Sequence, residues 1–183
     1  MVPLWLVLLA GCGEEPPVAP AVAPPAAEVA AAPEEPAAAK PAPVVLDQPL
    51  SLGADERHTA ALAGSPALAA AYTEVIAALE ESTPLAERIS VVASVRSRAL
   101  GEVPAEDGAS QALRERFELA LHDALAASFL AYTRIIVDGA GSAEEKRGGL
   151  QALESTLMLS PWNWDAPARN EVQTQLMMAL RTL

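Results

Sequence analysis

No intramolecular disulfide can brace this chain, because its 183 residues include a single cysteine, Cys12. Any folded domain must be held by core burial alone. Aromatic residues make up only 4% of the sequence, so that core has to be built from aliphatic side chains. Basic residues are scarce too. There are 12 Lys and Arg against 24 Asp and Glu, for a formal net charge of −12. Such a balance excludes nucleic acid as a partner, since phosphate binding needs clustered Lys and Arg to displace counterions. It also argues against a domain lying flat on anionic lipid. The signatures of common catalytic sites are missing as well. No Gly-x-Ser-x-Gly elbow occurs, and Gly139-Ala140-Gly141-Ser142 lacks the Gly-Lys-Ser/Thr ending that cradles phosphate.

What is there falls into three zones. Residues 1–11 are almost wholly apolar and uncharged. Residues 14–45 consist of Pro, Ala and Glu with little else, including nine prolines and twelve alanines. From 46 onward Leu, Val, Ile, Arg and Glu mix as in a globular protein. The linker's Glu14, Glu15, Glu28, Glu34 and Glu35 against Lys40 account for −4 of the net charge, leaving −8 for the folded part. Its 138 residues, 46–183, suffice to bury roughly two-thirds of the unfolded surface.

The apolar run over 3–10 has eight residues, where a spanning helix needs about 20, so it reads as the apolar region of a signal peptide. It leads into Leu9-Ala10-Gly11-Cys12, which resembles the lipobox of bacterial lipoproteins. The resemblance covers about the first twelve residues. It implies cleavage before Cys12, recognition of Leu9, Ala10 and Gly11 by the signal peptidase, and a diacylglyceryl thioether and an N-acyl group on Cys12. Two or three acyl chains give stable anchoring, since each buried CH₂ contributes ~0.8 kcal/mol. Ahead of the apolar run stand only Met1 and Val2, without the Lys or Arg that such peptides normally carry. Gly13 after the cysteine, rather than the Asp of inner-membrane retention, favours the outer membrane.

Prolines remove backbone donors and push the preceding residues out of the helical region, so 12–45 is expected to be a disordered, lipidated tether. Extended at ~3.1 Å per residue it would reach on the order of 100 Å.

The remainder carries helix signals. Ser65-Pro66 places an N-cap ahead of proline at the first helical position, followed by Leu68, Tyr72, Val75 and Leu79 at helical spacing. Thr83-Pro84 opens a second helix in the same way, closed by Gly101, although Ile89, Val91, Ala93 and Val95 also alternate as in a strand. The absence of a partner strand decides for helix. Over 109–137, Leu113, Phe117, Leu121, Leu125, Phe129, Tyr132 and Ile136 recur at steps of three or four. Ser142 and Glu145 form a capping box for a helix with Leu150, Leu153 and Leu157. A last helix follows Asp165 with Val172, Leu176, Leu180 and Leu183, and a short one is expected over 54–63. Short connections favour antiparallel neighbours. The fold class is therefore all-α, a helical bundle of about five to six helices after a disordered Pro/Ala-rich tether, with 1–11 the signal peptide, 12–45 the linker and 46–183 the domain.

Candidate chemistry is sparse. His122, Glu118 and Arg114 are spaced four apart, which suits weak ion pairs on a solvated helix face. Asp55, Glu56 and His58 lack a second cluster that would complete a metal site, so no metal is expected, nor any cofactor beyond the lipid. Gly148-Gly149 within a helical pattern marks a kink or a close approach. Met158, Met177 and Met178 are expected in the core. Trp162 and Trp164, on the loop before the last helix, suit either plugging the bundle's end or contacting a partner or ligand.

The expected function is non-enzymatic: an envelope lipoprotein anchored to a membrane by its lipid, on the periplasmic side, whose acidic bundle binds or scaffolds an envelope protein partner. The layout is similar to that of helical pilotins, which grip a helix of an outer-membrane pore subunit. The alternative is a binding domain for cell-wall glycan or a lipid-like ligand, using Trp162 and Trp164. Replacing both with alanine separates the readings. Lost glycan binding at unchanged melting temperature favours the alternative, whereas a large fall in melting temperature places both rings in the core and removes it.

Overall fold

The computed structural model describes residues 46–160 and 166–183. The lipobox residues Leu9, Ala10, Gly11 and Cys12, the Pro/Ala tether, Trp162 and Trp164 lie outside the described residues. Six helices form the described domain: α1 Glu56–Ala61, α2 Pro66–Glu80, α3 Leu85–Glu102, α4 Gly108–Asp138, α5 Ala143–Met158 and α6 Ala166–Thr182. Among the described residues there is no strand, so the alternation of Ile89, Val91, Ala93 and Val95 sits on a helix.

The starts follow from local chemistry. Asp55, Ser65, Asp107 and Ser142 each take an extended N-cap conformation and accept a backbone N–H of the first turn. Pro66 fills N1 of α2, and Ser142 with Glu145 closes the capping box. α3 begins differently from expectation. Pro84 occupies the cap position with no side-chain bond, and the Thr83 carbonyl accepts from Arg88 Nε at 2.6 Å. Gly101 lies inside the last turn of α3 rather than ending it.

α4, with 31 residues and a length of ~46 Å, organises the bundle. It packs against α1 and α2 on one side and α5 and α6 on the other, while α3 closes on α2. Phe117, Leu121, Leu125 and Phe129 are fully buried along it. Its buried Ser128 and Thr133 hydroxyls are satisfied within the helix, Ser128 donating to the Ala124 carbonyl at 2.9 Å and Thr133 to that of Phe129 at 2.8 Å. Gly149 of α5 resolves the glycine pair. It is buried, and a Cβ there would meet Ile136 Cγ2 of α4 at 3.2 Å, whereas one on Gly148 would meet nothing within 4 Å. The close approach is thus by a side chain, at Gly149 alone.

Two members of the polar stripe of α4 also reach the neighbouring helix. Glu118 accepts from Arg96 Nε of α3 at 2.8 Å, and Arg114 donates to the carbonyls of Leu100 in the last turn of α3 and of Val103 at its C-cap. The methionines also depart from expectation. Met158, Met177 and Met178 are 58%, 41% and 46% exposed. Core positions on α6 belong to Val172 and Leu176, so Met177 and Met178 fall outside its buried stripe, while Met158 ends α5.

Before α1, residues 46–55 form a non-helical strap whose Leu46 and Leu50 enter the core. The strap is fastened by long-range polar contacts. The Leu46 carbonyl accepts from Leu85 N–H at 2.9 Å, and Tyr132 O–H donates to the Gln48 carbonyl at 2.6 Å. Arg88, 1% exposed, donates to the Gln48, Leu79 and Thr83 carbonyls with its guanidinium over the Tyr132 ring, 5.7 Å from the centroid. Further on, Glu80 Oε1 accepts the N–H groups of Leu52 and Gly53 at 2.7 and 2.9 Å. Gly53 has φ +67°, a conformation glycine adopts freely and other residues resist.

Replacing Arg88 by Met removes donors from three carbonyls, that of Leu79 buried and those of Thr83 and Gln48 partly so. Denaturant titration should show a loss of roughly 2 kcal/mol or more, since each buried acceptor left unpaired costs ~1–3 kcal/mol. A denaturation midpoint equal to that of the parent chain would show that the fastening is dispensable.

Candidate functional site

Among the described residues, one face of α4 is left partly uncovered. Leu119, Ala126, Ala127 and Leu130 are the floor of a groove of about 720 Å³ there. One wall is the end of the strap, Leu52 to Asp55, with Arg57 and His58 of α1 and with Tyr72 and Ile76 of α2. The other wall is the first turns of α6, through Pro167, Ala168 and Glu171. Leu119 is 48% exposed, and Ala127 is open to solvent, so the floor is apolar and partly bare. Small residues dominate it, which permits close approach of another backbone.

Local geometry places the polar rim. Asp55 accepts from Arg57 N–H at 2.8 Å, capping α1, and its carboxylate is gripped by the Arg57 guanidinium, with Nη2 at 2.6 Å from Oδ2. The Arg57 side-chain bonds, and then the capping N–H, lower the Asp55 pKa from 3.8 to about 2. His58, next along α1, reaches α4, with Nε2 2.9 Å from Asp123 Oδ2. The Tyr72 ring stands edge-on against it at 5.9 Å. Tyr72 O–H accepts from Asp55 N–H at 3.3 Å, and burial raises its pKa. Three carboxylates, Asp55, Asp123 and Glu171, therefore face one arginine around an apolar floor.

The apolar floor and charged rim offer contacts for a bound surface. A His58–Asp123 pair resembles the orienting half of a nucleophilic site, but the groove lining holds no Ser, Thr or Cys among the described residues. No group of three or more His, Cys, Asp or Glu is placed to hold a metal among the described residues. Of the residues singled out by sequence, Cys12, Leu9, Ala10, Gly11, Trp162 and Trp164 lie outside the description, and the loop's flank, Met158 and Leu159, is exposed. Sequence reading missed the groove. Asp55 and His58 were visible as a cluster, but Asp123, 65 residues from His58, carried no signal that it would meet them.

No protein-family model, curated protein or solved structure matches this chain. What defines its class is thus the described architecture: an all-α bundle of six helices with an apolar, acid-rimmed groove on its central helix.

The lowered pKa of Asp55 fixes the sign of a pH effect. Its folded value lies below its unfolded one, so the stability it contributes is complete above about pH 4 and is lost as pH falls towards about 2. The carboxyl is solvent-exposed, so the effect is small. Asp55→Asn should flatten the acid limb of the urea midpoint between about pH 4 and 2 while preserving the helix cap. An unchanged acid limb would show that the Arg57 grip contributes nothing.

Proposed function

We propose that this chain is a membrane-anchored envelope lipoprotein whose acidic bundle holds a protein partner, with a helix of that partner seated in the α4 groove. The carrying observation is the uncovered stripe of α4. A helix that is apolar on its outer face as well as its inner one lacks a cover, and a long groove with small residues along its floor suits helix-in-groove recognition. The lipobox around Cys12 supports anchoring, and the Pro/Ala tether of 12–45 supports a domain held off the membrane surface. In this reading the domain works as a scaffold or pilot on the periplasmic side. Gly13 after the cysteine favours the outer membrane, and the lipid is the one attached group required.

Two replacements test the halves of the reading separately. Cys12→Ala should abolish incorporation of labelled fatty acid and free the protein from the membrane fraction. A photo-crosslinking residue at Ala127, on the groove floor, should trap a discrete protein adduct in the native envelope, whereas one at Ser97, on exposed α3, should not. Lipid incorporation that survives the first change would overturn the anchor, and adducts at both positions or at neither would overturn the groove.

A further inference from the structure

The uncovered stripe of α4 does not stop at Leu130. Leu119, Asp123, Ala126, Leu130, Arg134 and Val137 follow at steps of three or four, so they share one helix face, ~27 Å long. Beyond the main groove this face enters a second depression of about 240 Å³ between the ends of α4 and α6, where Arg134 and Val137 meet Met178. Met178 is shared with an adjoining hollow on α6 that also holds Met177 and Arg181. α6 runs alongside α4 in the same direction: its first turns flank 126–130 in the main groove, and its last turns flank 133–138 in the second.

Charge divides along this line. At the α1 end, Asp55, Asp123 and Glu171 outnumber Arg57. At the far end, Arg134 and Arg181 outnumber Asp138. The two arginines stand apart from most of the domain's cations. Arg57, Arg96 and Arg98 are in ion pairs, and Arg88, Arg114 and Lys146 are spent on carbonyls. Neither Arg134 nor Arg181 has an ion pair among the described residues. Two exposed methionines beside them give an adaptable apolar surface of the kind that packs against a partner helix.

We infer that the α4 face takes a partner helix whose charges are segregated along its axis, with basic side chains over Asp123 and Glu171 and acidic side chains over Arg134 and Arg181. The inference rests on the groove being a helix site and adds the register and chemistry of its occupant. Charge complementarity of this sort selects partner and orientation, and its contribution falls as salt rises.

The test uses the full chain in detergent micelles and two synthetic helices of about 18 residues, identical in composition and apolar face. In one, glutamates occupy the first third and lysines the last. In the other, the two alternate. The segregated peptide should bind about tenfold more tightly at low salt, and the advantage should shrink at about 1 M salt. It should also disappear in a chain with Asp123→Asn, Glu171→Gln, Arg134→Gln and Arg181→Gln that retains its helical circular dichroism. A photo-crosslinker on the lysine end should mark residues around Asp123. Equal affinity for both peptides would overturn the charge register while leaving the groove as a helix site, and so would marking around Arg134. Failure of both peptides to bind would overturn the helix site and the register together.

Discussion

A buried guanidinium with no carboxylate partner among the described residues sets the terms for this fold. Arg88 sits at the junction where α2 ends, α3 begins and the strap crosses, and it donates to one carbonyl from each of those segments. Burying a charge in this way is expensive unless its donors are met. Three carbonyls and the face of Tyr132 meet them here. The guanidinium's planar fork makes this possible, since it aims several donors in fixed directions where an ammonium would offer a point charge. Tyr132 then completes the joint by donating to the Gln48 carbonyl that Arg88 also uses. A chain without a disulfide thereby gains a polar crosslink between parts separated by 84 residues.

The strap matters because of what lies at each of its ends. Its start is where the chain enters the described domain, and its finish, Leu52 to Asp55, is a wall of the groove. Between them stand the contacts to Leu85, Arg88, Tyr132 and Glu80. Anything that pulls on the chain from its amino-terminal side therefore meets the Arg88–Tyr132 fastening before it reaches the groove wall.

Local signals wrote most of the helices and almost none of the site. The cap at Ser65, the capping box of Ser142 and Glu145, and the stripe from Phe117 to Tyr132 depend on residues a few positions apart, so their physics is visible in sequence. Thr83-Pro84 looked equivalent to Ser65-Pro66, yet the Thr83 carbonyl is drawn to Arg88, and Pro84 takes the cap position. Nothing local marks Arg88, because the strap residue it holds, Gln48, lies 40 positions away in the sequence. Glu118 has spacing for a pair along its own helix, and the bond it accepts from Arg96 on a neighbouring helix, 22 residues away, carries no local signal. His58 and Asp123 likewise meet only after α1 folds back on α4.

The methionines show why apolar character alone misleads. Val172 and Leu176 already satisfy the inward stripe of α6, and Met177 and Met178 follow directly on Leu176. On a helix, adjacent positions are turned by ~100°, so residues next to a core position cannot all be core. The same holds for Leu119 on α4, which lies off the stripe of Phe117 and Leu121 and opens onto the groove. Apolar residues out of phase with the buried stripe are therefore more informative than those in phase. On α4 such a residue, Leu119, opens onto the groove, and on α6 Met178 opens onto the depression that α6 shares with the end of α4.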